Sequence, residues 1–395
     1  MSLMQIEESP RPAGRGWALW ALGFRPFYIV ASVYATLSIA LWAAQVSGWL
    51  GRSYLDASAW HAHEMLFGYT LAVIVGFLLT AGRNWTGQPT PTGRSLQALV
   101  ALWIAGRVLV LTPWVWPSAL VNAAFPLAAA AAFAVPLARS ANKRNYFFVA
   151  LLVLLGIAQF GVHMAQAGTV ALPSWLGLRI GLDVVMFIMA VMAGRVIPMF
   201  TNNGIPGAGA RRDERVEKAA LGSILALLAA DLLQLQGPLL ALLLAVCGVA
   251  QLVRWALWNP WRTLRTPLVW VLHAAYLWIV VHLAMRALAE IGLAPAHLAT
   301  HALTIGAIGG LTIGMMTRTA RGHTGLPLVA GGIEVACYLA VLTAAVVRVF
   351  GPLVAPEAYM SSVVVSAALW SGGFALYALR YVPILARPRI DGRPG

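Results

Sequence analysis

The chain is poor in the residues that carry most soluble chemistry. It has two cysteines in 395 residues, Cys247 and Cys337, each inside an apolar run of a different segment. There is no C-x-x-C pair and no C-x-x-C-H, which excludes covalent haem attachment and dithiol redox chemistry. Both cysteines read as small buried residues. Charged residues make up only 10% of the chain, against roughly 25% in soluble domains. Acids are scarcest, with 13 Asp and Glu against 27 Lys and Arg, a formal net charge of +14. No apolar segment precedes Trp17, so no cleaved signal is expected. The alternating ten-residue pattern of a membrane barrel is missing, and no soluble domain interrupts the apolar runs.

What is present is hydrophobic sequence, 60% of the chain. Runs of 18 to 20 residues rich in Leu and Ala predict membrane helices. Twelve spans are expected, near 22–47, 60–82, 95–115, 117–138, 145–168, 175–199, 216–236, 238–258, 267–291, 296–318, 328–350 and 357–382. Short linkers marked by Pro and Gly join them. The expected fold is therefore an all-α polytopic membrane protein: an N-terminal segment 1–21, one transmembrane domain 22–382 and a tail 383–395. The basic residues sit at helix ends, not in a nucleic-acid footprint. Arg11, Arg15 and Arg25 open the chain, alternate loops carry Arg83, Arg94, Arg139, Lys143, Arg144, Arg211, Arg212, Arg215, Lys218, Arg254, Arg262, Arg265, Arg318 and Arg321, and Arg380, Arg387, Arg389 and Arg393 close it. The opposite loops hold almost none, Arg52 being the exception. This asymmetry places both termini in the cytoplasm.

One stretch recurs. His63, Gly68, Gly76, Arg83, Thr86, Gly87 and Pro89 are matched without a gap by His301, Gly306, Gly314, Arg321, Thr324, Gly325 and Pro327, making 60–89 and 298–327 candidate repeats. As a helix, His63 to Arg83 spans roughly 30 Å, a bilayer's hydrocarbon thickness. The shift equates helix two with helix ten, which suits three four-helix pseudo-repeats. Helix six is a weaker third member: it ends Ala193-Gly194-Arg195 like Ala81-Gly82-Arg83, with Asp183 rather than histidine toward its other end.

Six of the eight histidines, His61, His63, His163, His282, His297 and His301, fall in the outer half of this topology. Each alone reads as a polar helix end, but ionisable groups in spans usually face the interior and mark function. Imidazole suits Fe, Cu and Zn, and Glu64, Met65 and Met164 are close in sequence. His61 and His63, at i and i+2, point about 200° apart on a helix and suit two sites flanking it. His297 and His301 share a face. Repeat-equivalent His63 and His301 at equal depth suit the axial ligation of a non-covalent, b-type haem. His61, Glu64, His163, His282 and His297 are then left for a second metal, copper or non-haem iron, with Glu64, His163 and His282 as catalytic candidates. Asp183, Asp231 and Glu290 read as proton carriers or as partners of Arg179 and Arg286. Arg83, Arg195 and Arg321, at the other ends of their helices, are candidates for an anionic group of a cofactor, or plain helix caps.

Several motifs carry a resemblance: Gly23-Phe24-Arg25-Pro26-Phe27, Trp60-His61-Ala62-His63-Glu64-Met65-Leu66-Phe67-Gly68, Arg83-Asn84-Trp85-Thr86-Gly87, Gly194-Arg195-Val196-Ile197-Pro198-Met199-Phe200-Thr201-Asn202 and His301-Ala302-Leu303-Thr304-Ile305-Gly306. Together they resemble the NnrS family over nearly the whole chain. The resemblance implies a bacterial inner-membrane protein containing haem and copper, associated with denitrification and nitric oxide stress. In architecture alone the chain is also similar to the catalytic subunit of haem–copper oxidases and nitric oxide reductases, where helices two and ten hold the low-spin haem. It departs from that pattern because helices six and seven carry no histidine. Three functions follow as expectations: a nitric oxide-consuming oxidoreductase fed by membrane quinol, a non-catalytic nitric oxide-binding protein, or a transporter of copper, haem or a small solute.

Overall fold

The structure, a computed structural model, describes residues 16–51 and 53–392. Arg11, Arg15, Arg52 and Arg393 lie outside the described residues. Among those described there are twelve main helices and no strand: α1 Phe24–Val46, α2 Ala57–Thr86, α3 Gly93–Leu109, α4 Val115–Arg139, α5 Phe147–Gln166, α6 Leu176–Gly204, α7 Glu214–Leu232, α8 Pro238–Leu257, α9 Pro267–Glu290, α10 Ala296–Thr324, α11 Gly332–Val354 and α12 Tyr359–Ala386. Ten are long and apolar enough to cross a membrane. The other two, α3 and α7, carry charge: Arg94 and Arg107 in one, and Glu214, Arg215, Glu217, Lys218 and Asp231 in the other. The protein is thus the polytopic helical membrane protein that its scarcity of charge predicts.

Several boundaries move for identifiable reasons. Helix α2 starts at Ala57, three residues earlier than expected, because Asp56 caps it by accepting from the amides of Ser58 and Ala59. Helices α6 and α10 run on to Gly204 and Thr324, adding a turn of polar sequence beyond the apolar runs, and α12 runs on to Ala386 through Pro383, Ile384 and Leu385.

Helices α2 and α10 are built alike. Each begins as a short α-helical piece ending on a histidine, His63 or His301, and then widens into a π-helical segment, Glu64–Thr70 or Ala302–Gly309. Such widenings shift the face that later residues present and concentrate at functional sites. Each helix also ends on a left-handed glycine, Gly87 at φ +65° and Gly325 at φ +81°, whose amide donates to the carbonyl of Arg83 or Arg321. A side chain is strained in that conformation, so glycine is the residue that fits. In between, Gly76 lets Phe27 of α1 approach α2, and Gly314 lets Val271 and Leu272 of α9 approach α10.

Helix α2 is the most deeply buried span. It packs against α1 and α4, while α1 also packs against α12, bringing the two ends of the chain together. There the Trp370 indole donates to the Ala35 carbonyl at 3.1 Å. An apolar pocket of about 80 Å³ lies where α2, α6 and α10 meet, lined by Ile74, Ile188, Met192 and Leu311 among others. The six histidines gather at one end of the bundle, and Arg83, Arg195 and Arg321 lie toward the other.

Candidate functional site

Helix α2 carries a buried polar cluster on one side of its π-helical turn. His63 and Glu64 are fully buried. The His63 Nδ1–H donates to Glu64 Oε1 at 2.7 Å, and Arg107 of α3 donates to the same oxygen at 2.9 Å. The Tyr34 hydroxyl of α1 donates to Glu64 Oε2, and Arg107 also donates to the Asn122 side chain of α4. A buried carboxylate held by a guanidinium, a phenol and an imidazole is well satisfied, and removing any one partner leaves charge exposed to low dielectric.

The imidazole of His163, from the far end of α5, lies against that of His63 with ring centres 4.7 Å apart. The Tyr54 hydroxyl, in the α1–α2 connection, is 2.6 Å from His163 Nδ1 and donates to Ser118 Oγ at 2.7 Å. With its proton committed to Ser118, Tyr54 accepts from His163 Nδ1–H. Both histidines therefore hold their proton on Nδ1 and present a basic Nε2 lone pair. His63 Nε2 receives a long contact, 3.3 Å, from the amide nitrogen of Gln159, which also donates to Asn122 Oδ1 at 3.1 Å. His163 Nε2 and Gln159 Oε1 are buried and have no partner. An unsatisfied buried acceptor costs about 1–3 kcal/mol.

His61, two residues before His63, faces a second cluster. Its ring lies 4.6 Å from that of Trp42 of α1, and its Nδ1 is buried without a partner. The guanidinium of Arg348 on α11 bears electrostatically on His61, His297 and His301, and the His61 imidazole bears on His301. His301 Nδ1 donates to the His297 carbonyl at 2.7 Å, so its Nε2 is the nitrogen left to act. His297 is exposed at the helix start, its ring 6.1 Å from that of Tyr359. Arg348 donates to the Tyr359 hydroxyl at 3.1 Å and keeps a second, buried nitrogen unpartnered.

His282 stands apart from both clusters. Its Nδ1 donates to the Ala299 carbonyl at 2.7 Å. One turn on, Arg286 binds Asp231 of α7 and lies 3.8 Å from Asp183 of α6, while Arg179 reaches Asp231 at 3.5 Å. Asp183 and Asp231 are thus salt-bridge partners of Arg179 and Arg286. Glu290 accepts from the Gly237 amide as a cap on the preceding helix.

The histidines therefore do not group as the repeat suggests. His63 and His301 fall into different clusters, and Glu64 and His163 join His63 rather than His61, His282 and His297. The reason is angular: residues two apart on α2 face opposite ways, and α5 stands on one side with α10 on the other. The three expected anion-binding arginines lie roughly 30 Å of helix away from the histidines. Arg83 is exposed beside Trp17 and Trp20. Arg321 is occupied by Glu334 at 3.2 Å and the Pro327 carbonyl at 2.7 Å. Arg195 binds Asn145 at 2.7 Å and lies over the rings of Trp85, Phe147 and Phe148. The guanidiniums that do reach the histidines, Arg107 and Arg348, were not singled out by sequence, nor were Tyr34, Tyr54 and Gln159. The signal was there for the two arginines, since each stands alone inside an apolar run.

Among the described residues no group of three or more His, Cys, Asp or Glu side chains is arranged to hold a metal ion. What the clusters offer instead is imidazole nitrogen in pairs. Orphaned donors and acceptors at His61, His163 and Arg348 are the chemistry a bound metal or a haem with its anionic propionates would satisfy, so the residues fit such groups. In comparisons with known proteins, the family model described as NnrS protein matches residues 18–389. No curated protein matches the chain.

Proposed function

The chain belongs to the NnrS family, and from that membership we propose that it is a bacterial inner-membrane haem and metal protein that handles nitric oxide. The observation that carries this reading is the chain of contacts His301–His297–Tyr359–Arg348 across α10, α12 and α11, with His61 of α2 in electrostatic reach of Arg348. His61 and His301 would hold a b-type haem through their imidazole nitrogens. Arg348, with an unused buried nitrogen, would bind a propionate. Trp42 and Tyr359 would wall the site. A bound haem supplies an iron that exchanges electrons and binds diatomic ligands.

The chemistry we favour is reduction of two nitric oxide molecules with two electrons and two protons to nitrous oxide and water. A membrane quinol, oxidised to quinone, provides both electrons and both protons; no domain for a soluble donor interrupts the helices. Asp183 and Asp231 pair with Arg286 at the same end of the bundle and brace it. Both termini lie in the cytoplasm, so the histidine end faces the periplasm. The family resemblance implies copper as well, without placing it.

The test is the purified protein in detergent, reduced and oxidised, with haem and metal content measured and nitric oxide consumption followed with reduced quinol. A low-spin haem spectrum with quinol-dependent turnover supports the reading. Nitric oxide binding without turnover would make it a capture protein, and absence of haem would overturn the site.

A further inference from the structure

We propose that the cleft at the end of α2 opposite the histidines binds the phosphate of an acidic membrane phospholipid. It uses none of the residues assigned to the haem and does not depend on that reading.

The cleft, about 540 Å³, lies where residues 17–21 cross the α2–α3 connection, with Trp17, Trp20, Arg83, Thr90, Thr92 and Gly93 in its walls. Two backbone bonds hold the crossing segment in place. The Ala18 amide donates to the Ala386 carbonyl of α12, and the Gly93 amide donates to the Trp20 carbonyl, each at 2.9 Å. A cleft of this size takes a ligand of headgroup dimensions, far larger than a single ion.

Its polar groups all ask for an anion. Arg83 is exposed and bonds to no side chain or carbonyl among the described residues. Thr90 is only 5% exposed, yet its hydroxyl has no partner. Thr92 precedes α3 without a side-chain capping bond, so the positive end of a 17-residue helix opens beside Thr90 and Arg83. No acid among the described residues lines the cleft. A guanidinium, a hydroxyl and a bare helix start together match the oxygens of a phosphate.

The second copy of the repeat shows what is missing here. Arg321, the counterpart of Arg83, is occupied by Glu334, the third residue of α11, and by the Pro327 carbonyl. The third residue of α3 is Ser95, whose hydroxyl donates to the Thr92 carbonyl at 2.8 Å. Where one copy supplies an internal carboxylate, the other leaves its arginine facing a cleft.

Position and charge choose the ligand. Arg83 closes the apolar run of α2, which puts the cleft at headgroup depth, and Trp17 and Trp20 are the residues that settle at a membrane–water boundary. A zwitterionic headgroup would bring its ammonium into a positive field with no acid to meet it, whereas an acidic headgroup brings only negative charge.

The experiment uses the full-length protein in detergent, supplied with phosphatidylglycerol, phosphatidylcholine or inorganic phosphate. Bound lipid is counted by native mass spectrometry and the melting temperature is recorded. One phosphatidylglycerol per chain should survive a detergent wash that removes phosphatidylcholine. Arg83→Gln should weaken its retention about 10- to 100-fold, and Thr90→Val by a smaller factor. Arg215→Gln, which removes an exposed charge on α7 away from the cleft, should change nothing. Because Arg83 has no internal partner, Arg83→Gln should melt like the wild type without lipid, so its loss of lipid reports the site and not the fold. Equal retention of phosphatidylcholine, unchanged retention in Arg83→Gln, or an equal loss in Arg215→Gln would each overturn the proposal. Stabilisation by inorganic phosphate as large as that by phosphatidylglycerol would make this a free-phosphate site and overturn the lipid assignment. Lipid is counted whether or not haem is bound, so failure of this site and failure of the haem site are separate results.

Discussion

His61 and His63 are separated by one residue, yet their side chains serve different clusters: His61 lies against Trp42 of α1 and His63 against His163 of α5. Helix α2 is a partition. On one side stands a closed cluster around Glu64 and Arg107, and on the other a more open one around Arg348. A mutation at either histidine should therefore affect one cluster and spare the other.

Haem retention should depend on the open side. We expect His61→Ala and His301→Ala each to lose most of the bound haem, and Arg348→Ala to loosen it, while His63→Ala retains it. Haem content and the reduced optical spectrum of each purified variant decide the matter. Haem lost from His63→Ala but retained by His61→Ala would reject the assignment.

The Glu64–Arg107 pair is a structural commitment. Arg107 is 7% exposed and Glu64 not at all, so Arg107→Met leaves a buried, uncompensated carboxylate, at a cost of about 3–5 kcal/mol. Thermal unfolding in detergent should show a large loss of stability for Arg107→Met. The double variant Arg107→Met with Glu64→Gln should recover much of it, because the charge is removed with its partner. If the double variant is as unstable as the single one, packing rather than charge is at stake.

The two left-handed glycines make a paired prediction. Gly87→Ala and Gly325→Ala each place a side chain at positive φ, at a cost of about 1–2 kcal/mol. A Cβ at Gly87 meets nothing within 4 Å, whereas one at Gly325 comes to 3.1 Å from Ile390 and 3.2 Å from Asp391. Gly325→Ala should therefore be the more destabilising in a thermal scan. Equal melting temperatures for both variants and the wild type would mean that the helix ends are free to rearrange.

Orientation is testable by labelling. A cysteine placed at Glu357, in the α11–α12 connection, should react with an impermeant reagent added from the periplasmic side, and tags at either terminus should be accessible only from the cytoplasm. Reaction at position 357 from the cytoplasm alone would reverse the topology and put the histidine end inside the cell.

Much of the architecture was legible in the sequence because it follows from local quantities. Charge is too scarce and the apolar runs too long for anything but membrane helices, and twelve runs became twelve helices. The likeness of 60–89 to 298–327 was legible as matching residues, and the two segments carry matching π-helical turns and glycine caps. The placement of six histidines at one end followed from counting residues along each span. Even the divergence of His61 from His63 followed from helical geometry alone. What the sequence could not contain was the identity of the neighbour each face would meet. That His163 of α5 stands beside His63, and Arg348 of α11 beside His61, is set by how distant helices pack across the bundle, a many-body outcome that no local periodicity encodes. The same packing brings Arg107 and Tyr54 to the histidines, whereas the distance of Arg83 and Arg321 from them follows from helix length alone. Sequence spacing sets the angle at which a side chain leaves its helix; only the tertiary structure decides what is waiting there, because in a bilayer the partner is chosen by close packing and by the need to satisfy every buried polar group.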